Sequence, residues 1–358
     1  LATICINQMQ KSGSKEEYLL FDLKLNIAFY YRNSSELFPV SIEKKSEKFT
    51  FRLKGKPLFF RLDPEYECPC KKVKLNISRP MLRKQLEHAP DPIGRIEAAK
   101  MMARKASKED VDLLSKRLLK ESFWGVVERI ASTLGEIGGN QARDALIKGL
   151  KHSQPKVRRG IIIALGRFKN DETTAIALRK IAKGDDSYRV EAAALRCLGK
   201  IKDTASREFL EQTFNRSSHN DIAQSAILDA LAELEDERSW GFLVRNADYG
   251  APQMSRSSAM RAIAMIVKRY PHRKKEALDL LTRFATETPG SQASAFRGKL
   301  GAIKAIQALE DLAGIPALRK SAENEADGRL RRRAEDAIAT LRDLAKKPKE
   351  INFSPLDL

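Results

Sequence analysis

Side chains that could carry out catalysis are few and scattered in this 358-residue sequence. A catalytic zinc site needs three ligands from His, Glu, Asp or Cys, usually with two of them within one helical turn. The four histidines stand alone in the sequence, at His88, His152, His219 and His272. No G-x-S-x-G sequence is available to place a nucleophilic serine. We therefore predict no catalytic residue, no metal ligand and no cofactor in this chain.

Two short patterns resemble sites but favour structural roles. Cys68-Pro69-Cys70 is a close cysteine pair without a second pair at zinc-site spacing, which favours a loop between strands over a metal site. The glycine-rich stretch from Gly135 to Gly139 ends a helical pattern and does not follow a strand. We therefore expect a turn that ends a helix there, and not a phosphate-binding loop.

Composition limits the broad class of protein. The chain is 42% hydrophobic and 32% charged, which is enough apolar content for a sizeable core. Its four cysteines do not form a disulfide framework, so we expect a reducing, cytoplasmic location. The sequence has no apolar run of membrane-spanning length and no signal-peptide pattern, so we expect no membrane partner. Because it begins at Leu1, inside a strand-like pattern, we expect it to be a piece of a longer protein.

A repeat of fixed period runs through most of the chain. Leu134, Leu165, Leu198 and Leu231 follow one another at steps of 31, 33 and 33 residues, each eight positions after another apolar residue. Met102, Ile263, Ile306 and Ile338 extend the frame, with one long step of 43 between Ile263 and Ile306 that predicts an insertion around 270–292. A period of this length is typical of stacked helical hairpins. We predict seven helical pairs and a last helix.

The second helix of each pair has its own apolar column. Its members are followed four positions later by a small or apolar residue, and they are Leu114, Leu146, Leu178, Leu210, Leu243, Leu281 and Leu318. Both columns have helical spacing. The stretches VVERIASTLGEIG, VRRGIIIALGRF and RVEAAALRCLGKI resemble the HEAT-like repeat family.

The first 80 residues have strand periodicity. Apolar and polar residues alternate over Ala2–Asn7, Lys48–Leu53, Leu58–Leu62 and Val73–Ile77, and the stretch 18–29 reads as a further strand or strand pair. We predict a multidomain chain with a small β-sandwich at 1–80, a HEAT-like α-solenoid at 81–347 and a tail at 348–358. The apolar Ile351, Phe353, Leu356 and Leu358 are expected to pack on the last repeat.

The net charge is +19, and part of it is ordered along the repeats. Two positions after each second-helix leucine comes a basic residue in six repeats of seven: Lys116, Lys148, Lys180, Arg245, Arg283 and Lys320, with Gln212 as the exception. We call these six residues the basic column. Equivalent positions of a solenoid stack into a stripe, which predicts a binding face for an acidic protein surface, a peptide carboxylate or nucleic acid. The alternative is an ordinary solvated lysine surface.

A second set of cations lies in the first helices, one position after the start of the repeat. This first-helix column consists of Arg95, Arg158, Arg256, Lys299 and Arg331. Here a structural role is favoured, with pairing to acidic residues of the turns, for which Asp185, Asp186 and Asp327 are suitably placed. Trp124 and Trp240 lie near helix starts, and we expect them to pack between repeats.

The order of the β-region and the repeats gives a second resemblance. The strand Ile6-Asn7-Gln8-Met9-Gln10, the strand ending in Asp63-Pro64 and the helix starts after them are similar to the C-terminal half of zinc aminopeptidases of the aminopeptidase N type. The resemblance implies a non-catalytic region that braces a missing N-terminal catalytic domain, which would hold the zinc, and encloses its peptide cavity. The H-E-x-x-H helix and the G-x-M-E-N loop of that family are absent from this sequence. The alternative is a stand-alone HEAT-repeat scaffold that binds a protein, or less readily nucleic acid, through a basic face.

Overall fold

The structure, a computed structural model, describes residues 1–9, 20–68, 73–287, 292–323 and 325–346. Contacts between Cα atoms divide the chain into two compact units, Leu1–Gly149 and Leu150–Leu358. The expected packing of the tail at 348–358 lies outside the described residues.

The first unit begins with two small antiparallel sheets. Their strands are β1 (Ala2–Asn7), β2 (Leu23–Tyr30), β3 (Ser35–Ile42), β4 (Ser46–Phe51) and β5 (Phe59–Leu62). One sheet pairs β1 with β4, and the other has the order β3-β2-β5. Ile27 and Phe29 of β2 share a core with Ile42 of β3 and Phe51 of β4, and Ile4 of β1 packs against it. The predicted β-region with two packed sheets is confirmed.

The sequence patterns predicted one strand that does not form and missed another that does. The alternation over Val73–Ile77 does not form a strand, and Val73 is 53% exposed. Conversely, β3 was not predicted, because Pro39 and the half-exposed Leu37 interrupt its apolar alternation. Since β3 is an edge strand of its sheet, it tolerates a proline that cannot donate a backbone hydrogen bond.

Sixteen α-helices follow in the described residues. They are α1 (Arg79–His88), α2 (Pro92–Met102), α3 (Lys108–Lys120), α4 (Trp124–Ile137), α5 (Gly139–Gly149), α6 (Pro155–Leu165), α7 (Glu172–Gly184), α8 (Tyr188–Lys200), α9 (Ser206–Thr213), α10 (Ile222–Leu234), α11 (Trp240–Ala247), α12 (Arg256–Arg269), α13 (Lys274–Thr286), α14 (Gln292–Ala308), α15 (Ile315–Glu323) and α16 (Gly328–Lys346). Pairs α2–α3 through α14–α15, with α16 as the last helix, confirm the predicted repeats, and α1 precedes them. The long repeat includes the 17-residue α14.

Both predicted apolar columns lie in the cores of their units. All seven second-helix leucines are fully buried, and so are the first-helix residues from Met102 to Ile306, while Ile338 is 9% exposed. Gly138 and Gly139 have φ angles of +73° and +79° at the end of α4, which a glycine adopts without strain. The predicted helix-ending turn is therefore confirmed.

One buried arginine connects the β-region to the helices of the first unit. Arg61 of β5 is 3% exposed, forms an ion pair with Asp91 at 2.5 Å, and donates to the hydroxyl of Tyr66 at 2.8 Å. Asp91 also accepts a hydrogen bond from the amide of Gly94 and so caps α2. A boundary near residue 80 remains a prediction, and this ion pair crosses it.

Helices α8 and α10 of the second unit approach closely at a glycine. A Cβ atom at Gly199 would lie 2.4 Å from the backbone oxygen of Ala230 and 2.5 Å from its Cα. Both are backbone atoms, so the clash cannot be relieved by turning a side chain. Gly199 therefore lets the backbones of α8 and α10 approach each other closely.

We predict that Gly199→Ala lowers the free energy of unfolding by about 1–3 kcal/mol, because it overpacks this crossing. Thermal unfolding followed by circular dichroism measures the effect. Gly184→Ala is the matched control, since a Cβ there meets nothing within 4 Å. Equal melting temperatures for the two variants would contradict the close packing.

Candidate functional site

The first-helix column lies in the turns between repeats, as Arg158 shows in the second unit. Its Nε and Nη2 donate to the carboxylate of Asp185 at 2.8 and 2.6 Å, and its Nη1 donates to the backbone oxygens of His152 and Ser153. Both charged side chains are at most 10% exposed. Arg158 therefore connects the turn before α6 to the turn after α7. We call such a buried bridge between consecutive turns a rung.

Two further rungs occupy the same position, and the first of them also reaches turn carbonyls. In the first unit Arg95 donates to Glu121 at 3.0 and 3.1 Å and to the backbone oxygens of Ala89 and Pro90. In the second unit Lys299 bonds to Glu325 at 2.7 Å, with both side chains 9% exposed. The predicted structural pairing is confirmed for Arg95, Arg158 and Lys299.

One ion pair at this position has its charges exchanged and is more exposed than the rungs. At the position equivalent to Arg158, α8 carries Glu191, and the cation comes from Arg216 in the turn after α9. Arg216, which is 51% exposed, also donates to the backbone oxygens of Ala182 and Lys183 in the last turn of α7, so it connects the end of α7 to the turn after α9. Opposite charges therefore recur at this position, with the cation on the helix in three pairs and in the turn in one.

The column has two exceptions. Arg256 is 3% exposed and donates to the backbone oxygen of Ala247, and its guanidinium lies 4.2 Å from the ring centre of Tyr249. Its expected acidic partner is not found among the described residues. Arg331 is exposed, and Asp327 pairs with Arg329 at 2.6 Å instead.

The basic column is placed on the opposite face of its helices. Two residues correspond to about 200° around an α-helix, so a side chain two positions after a buried leucine points away from the core. Accordingly all six members are exposed. The structure places Lys116 and Lys148 on the neighbouring helices α3 and α5, and Arg283 and Lys320 on the neighbouring helices α13 and α15.

Members of the basic column differ in their partners. Lys116, Lys148, Lys180 and Arg245 form no hydrogen bond or ion pair with any described residue. Arg283 pairs with Asp248 at 3.1 Å and lies 5.0 Å from the ring centre of Phe284. Lys320 lies on the wall of a groove between α13 and α15. Four of the six charges are thus not used within the described structure.

Other candidate chemistry finds little support. In the described part of the chain, no group of three His, Cys, Asp or Glu side chains is arranged to hold a metal ion. The described cysteines, Cys5, Cys68 and Cys197, are free thiols, and burial raises the pKa of Cys197 to about 12. Among the described helices none combines the length and apolar character needed to span a membrane.

The tryptophans occupy different environments. Trp240 is 5% exposed, and its indole N–H donates to Glu276 at 2.9 Å, so its expected packing role is confirmed. Trp124 is 37% exposed, with its ring 5.6 Å from that of Phe123.

Comparison with protein families identifies the repeats. Residues 79–154, 143–232 and 177–264 match HEAT repeats, and together they cover just over half of the chain. The chain belongs to the HEAT-repeat family. In HEAT-repeat terms, the rungs lie in the turns between repeats and the basic column lies on the second helices. A comparison with curated proteins found no match.

Several solved structures are similar to this HEAT-repeat chain. A crystal structure of Kap121p bound to Nup53p has 13% identity and a TM-score of 0.47, covering 74% of this chain and 33% of Kap121p. Human deoxyhypusine hydroxylase has 14% identity and a TM-score of 0.33, covering 74% of this chain and 96% of the enzyme. The CpcE–CpcF phycocyanin lyase of Nostoc sp. PCC7120 has 17% identity and a TM-score of 0.33, covering 77% and 98%. This chain thus spans about a third of Kap121p.

The identification as part of a zinc aminopeptidase is wrong. The matching family is HEAT repeats, and none of these similar structures is an aminopeptidase. The residues behind that resemblance have local roles in folding. The amide of Gln8 bonds to the backbone of Phe21 and Ile42, and Asp63 accepts hydrogen bonds from the amides of Glu67 and Cys68 in a turn. Any small sheet can use such residues, so they do not identify a peptidase.

Sequence reasoning missed the acidic halves of two rungs. Glu121 and Glu325 each follow their cation by 26 residues, and Asp185 follows Arg158 by 27, a spacing that would have found them. Burial raises the pKa of Glu121, but hydrogen bonds from the amide of Phe123 and from Arg95 outweigh it and hold the pKa below its ordinary 4.5. The groove beside Lys320 was also missed, because its walls come from separate helices.

We predict that the Glu121 rung stabilises the fold less at acid pH. Because the pKa of Glu121 is lower in the folded than in the unfolded chain, its stabilisation is present above the unfolded pKa and is lost as pH falls through the folded pKa. Urea unfolding between about pH 6 and about pH 3 should show a smaller loss of stability for Glu121→Gln than for the unchanged chain. The exposed Glu65→Gln should keep the full loss, and identical pH profiles for all three proteins would contradict the rung.

Proposed function

We propose that this chain is a HEAT-repeat scaffold that binds an acidic protein partner through its basic column. One observation carries the proposal. Lys116, Lys148, Lys180 and Arg245 recur at one position of the repeat, are exposed, and form no hydrogen bond or ion pair with a described residue. The first-helix column, in contrast, is largely buried in rungs. The repeat thus uses one set of cations for folding and leaves the other for a partner.

The charge of the whole chain supports an anionic partner. Exposed cations contribute little to folding, and a net charge of +19 opposes compaction through repulsion between like charges. Such charge raises the rate at which an acidic surface associates and favours it over basic partners.

A protein partner fits the column better than nucleic acid. Sites for single strands combine a basic groove with aromatic side chains on which bases stack. Trp240 is buried against Glu276, and none of the six column residues has an exposed aromatic beside it at the next position. One cation per repeat, interrupted by Gln212, supplies few phosphate contacts.

We predict that the triple variant Lys148→Glu, Lys180→Glu and Arg245→Glu binds a fluorescent peptide rich in aspartate and glutamate at least about tenfold more weakly than the unchanged chain. Fluorescence anisotropy at low and at physiological salt measures this, and added salt should weaken binding to the unchanged chain. The melting temperature should stay nearly constant, because exposed charges contribute little to folding.

The matched control reverses three exposed cations outside the column, Lys151→Glu, Arg269→Glu and Lys304→Glu, and so makes the same change in net charge. It should alter the affinity less than about threefold, through the net charge alone. Equal weakening by both triple variants, or binding indifferent to salt, would contradict the proposal. Tighter binding of a short DNA duplex than of the peptide at physiological salt would replace the protein partner with nucleic acid.

A further inference from the structure

A groove runs between the second helices α13 and α15 of the second unit. Its volume is about 600 Å³, and its lining includes Lys275, Leu278, Asp279 and Thr282 of α13. Lys275 and Thr282 each lie three or four positions from both Leu278 and Asp279, so the four residues form one face of that helix. Across from them lie Pro316, Ala317 and Lys320 of α15. Beneath the groove the two helices bury Leu281 and Leu318 completely.

Small residues keep this groove open. On the α15 side, Ala313, Pro316 and Ala317 precede Lys320, and none of them reaches across to α13. The turn Leu312–Gly314 lies close to α14, because a Cβ atom at Gly314 would lie 2.6 Å from Cγ2 of Ile306. A residue other than glycine would force either this turn or the side chain of Ile306 to shift. The position of the turn, and with it the end of the groove, therefore depends on Gly314.

The dimensions suit an extended chain. The lining on α13 runs from Lys274 to Thr282, about 12 Å along the helix, which matches about four residues of extended polypeptide. A helix is about 10 Å across with its side chains and would need a wider channel than facing walls of two packed helices leave.

The lining has a definite chemistry. Leu278, Ala313, Pro316 and Ala317 supply apolar surface, and the charged lining residues are three lysines, Lys274, Lys275 and Lys320, against Asp279. Lys274 is bonded to Asp311. Lys275 of one wall and Lys320 of the other are exposed, and Lys320 also has an interaction of its own within the structure. An occupant of opposite charge would therefore meet cations on both walls.

We propose that the α13–α15 groove binds an extended acidic segment of the partner protein. Side chains of an extended chain alternate in direction, so a small apolar residue can face Leu278 and Pro316 while acidic residues on either side of it face Lys275 and Lys320. This inference rests on the proposed function and deepens it, because it names the class of segment that the partner contributes. It also assigns Lys320 of the basic column a contact with an acidic residue of that segment.

The test uses a fluorescent peptide in which aspartate and alanine alternate, with a second peptide of the same composition whose aspartates are all at one end. Pro316→Trp fills the groove from an exposed position, and Pro316→Ala keeps it open as the matched control. We expect Pro316→Trp to weaken binding of the alternating peptide about tenfold, and Pro316→Ala to change it less than about twofold. The blocked peptide should bind more weakly than the alternating one and be insensitive to either substitution.

Melting temperatures of both Pro316 variants should match that of the unchanged chain, which separates a filled groove from a damaged fold. A photoreactive group at the centre of the alternating peptide should label residues of α13 or α15. If Pro316→Trp binds normally while reversal of Lys148, Lys180 and Arg245 weakens binding, the proposed role of the groove is contradicted and the proposed function stands. If neither change weakens binding, or the peptide does not bind, both are overturned.

Discussion

Buried ion pairs between consecutive turns are the constraint on which several of the repeats depend. Each helix pair exposes polar backbone at its ends, and Arg158 satisfies carbonyl groups of one turn while holding Asp185 of the next. Removing two charges from water is costly, and a pair offsets that cost only when its geometry is good and its remaining hydrogen bonds are made. The pair of Glu191 and Arg216 has the opposite sign on the helix and is more exposed, with Arg216 51% accessible.

That constraint divides the cations of the chain into two sets. Three cations at the start of the first helices, Arg95, Arg158 and Lys299, are bonded to buried carboxylates, so they are unavailable to a partner. Cations two positions after the second-helix leucines point away from the core, and four of them have no hydrogen bond or ion pair within the described structure. The same repeat that fixes the fold therefore places positive charge on the exposed sides of the second helices. The groove between α13 and α15 adds a concave surface beside Lys320, one of these cations.

Periodicity predicted the parts of the fold that repeat, because burial of Leu134 or Leu178 is imposed at equivalent places in every hairpin. Periodicity did not predict features that depend on a single contact. Strand β3 carries Pro39 at a sheet edge, Arg256 packs on Tyr249, and Gly314 positions one turn against Ile306. The exposure of the basic column followed from helical spacing alone. The aminopeptidase resemblance failed because the motifs around Gln8 and Asp63 stabilise local turns and strands that many proteins share.

A double-mutant cycle on Arg158 and Asp185 tests the role of the rungs most directly. The free energy of unfolding would be measured in urea for the unchanged chain, for Arg158→Ala, for Asp185→Ala and for the double variant. If the rung links the turns, each single substitution leaves a buried charge unpaired, and the coupling between the two sites should be about 1–3 kcal/mol. Losses that add to within about 0.5 kcal/mol would show that the two residues act independently and would contradict this account.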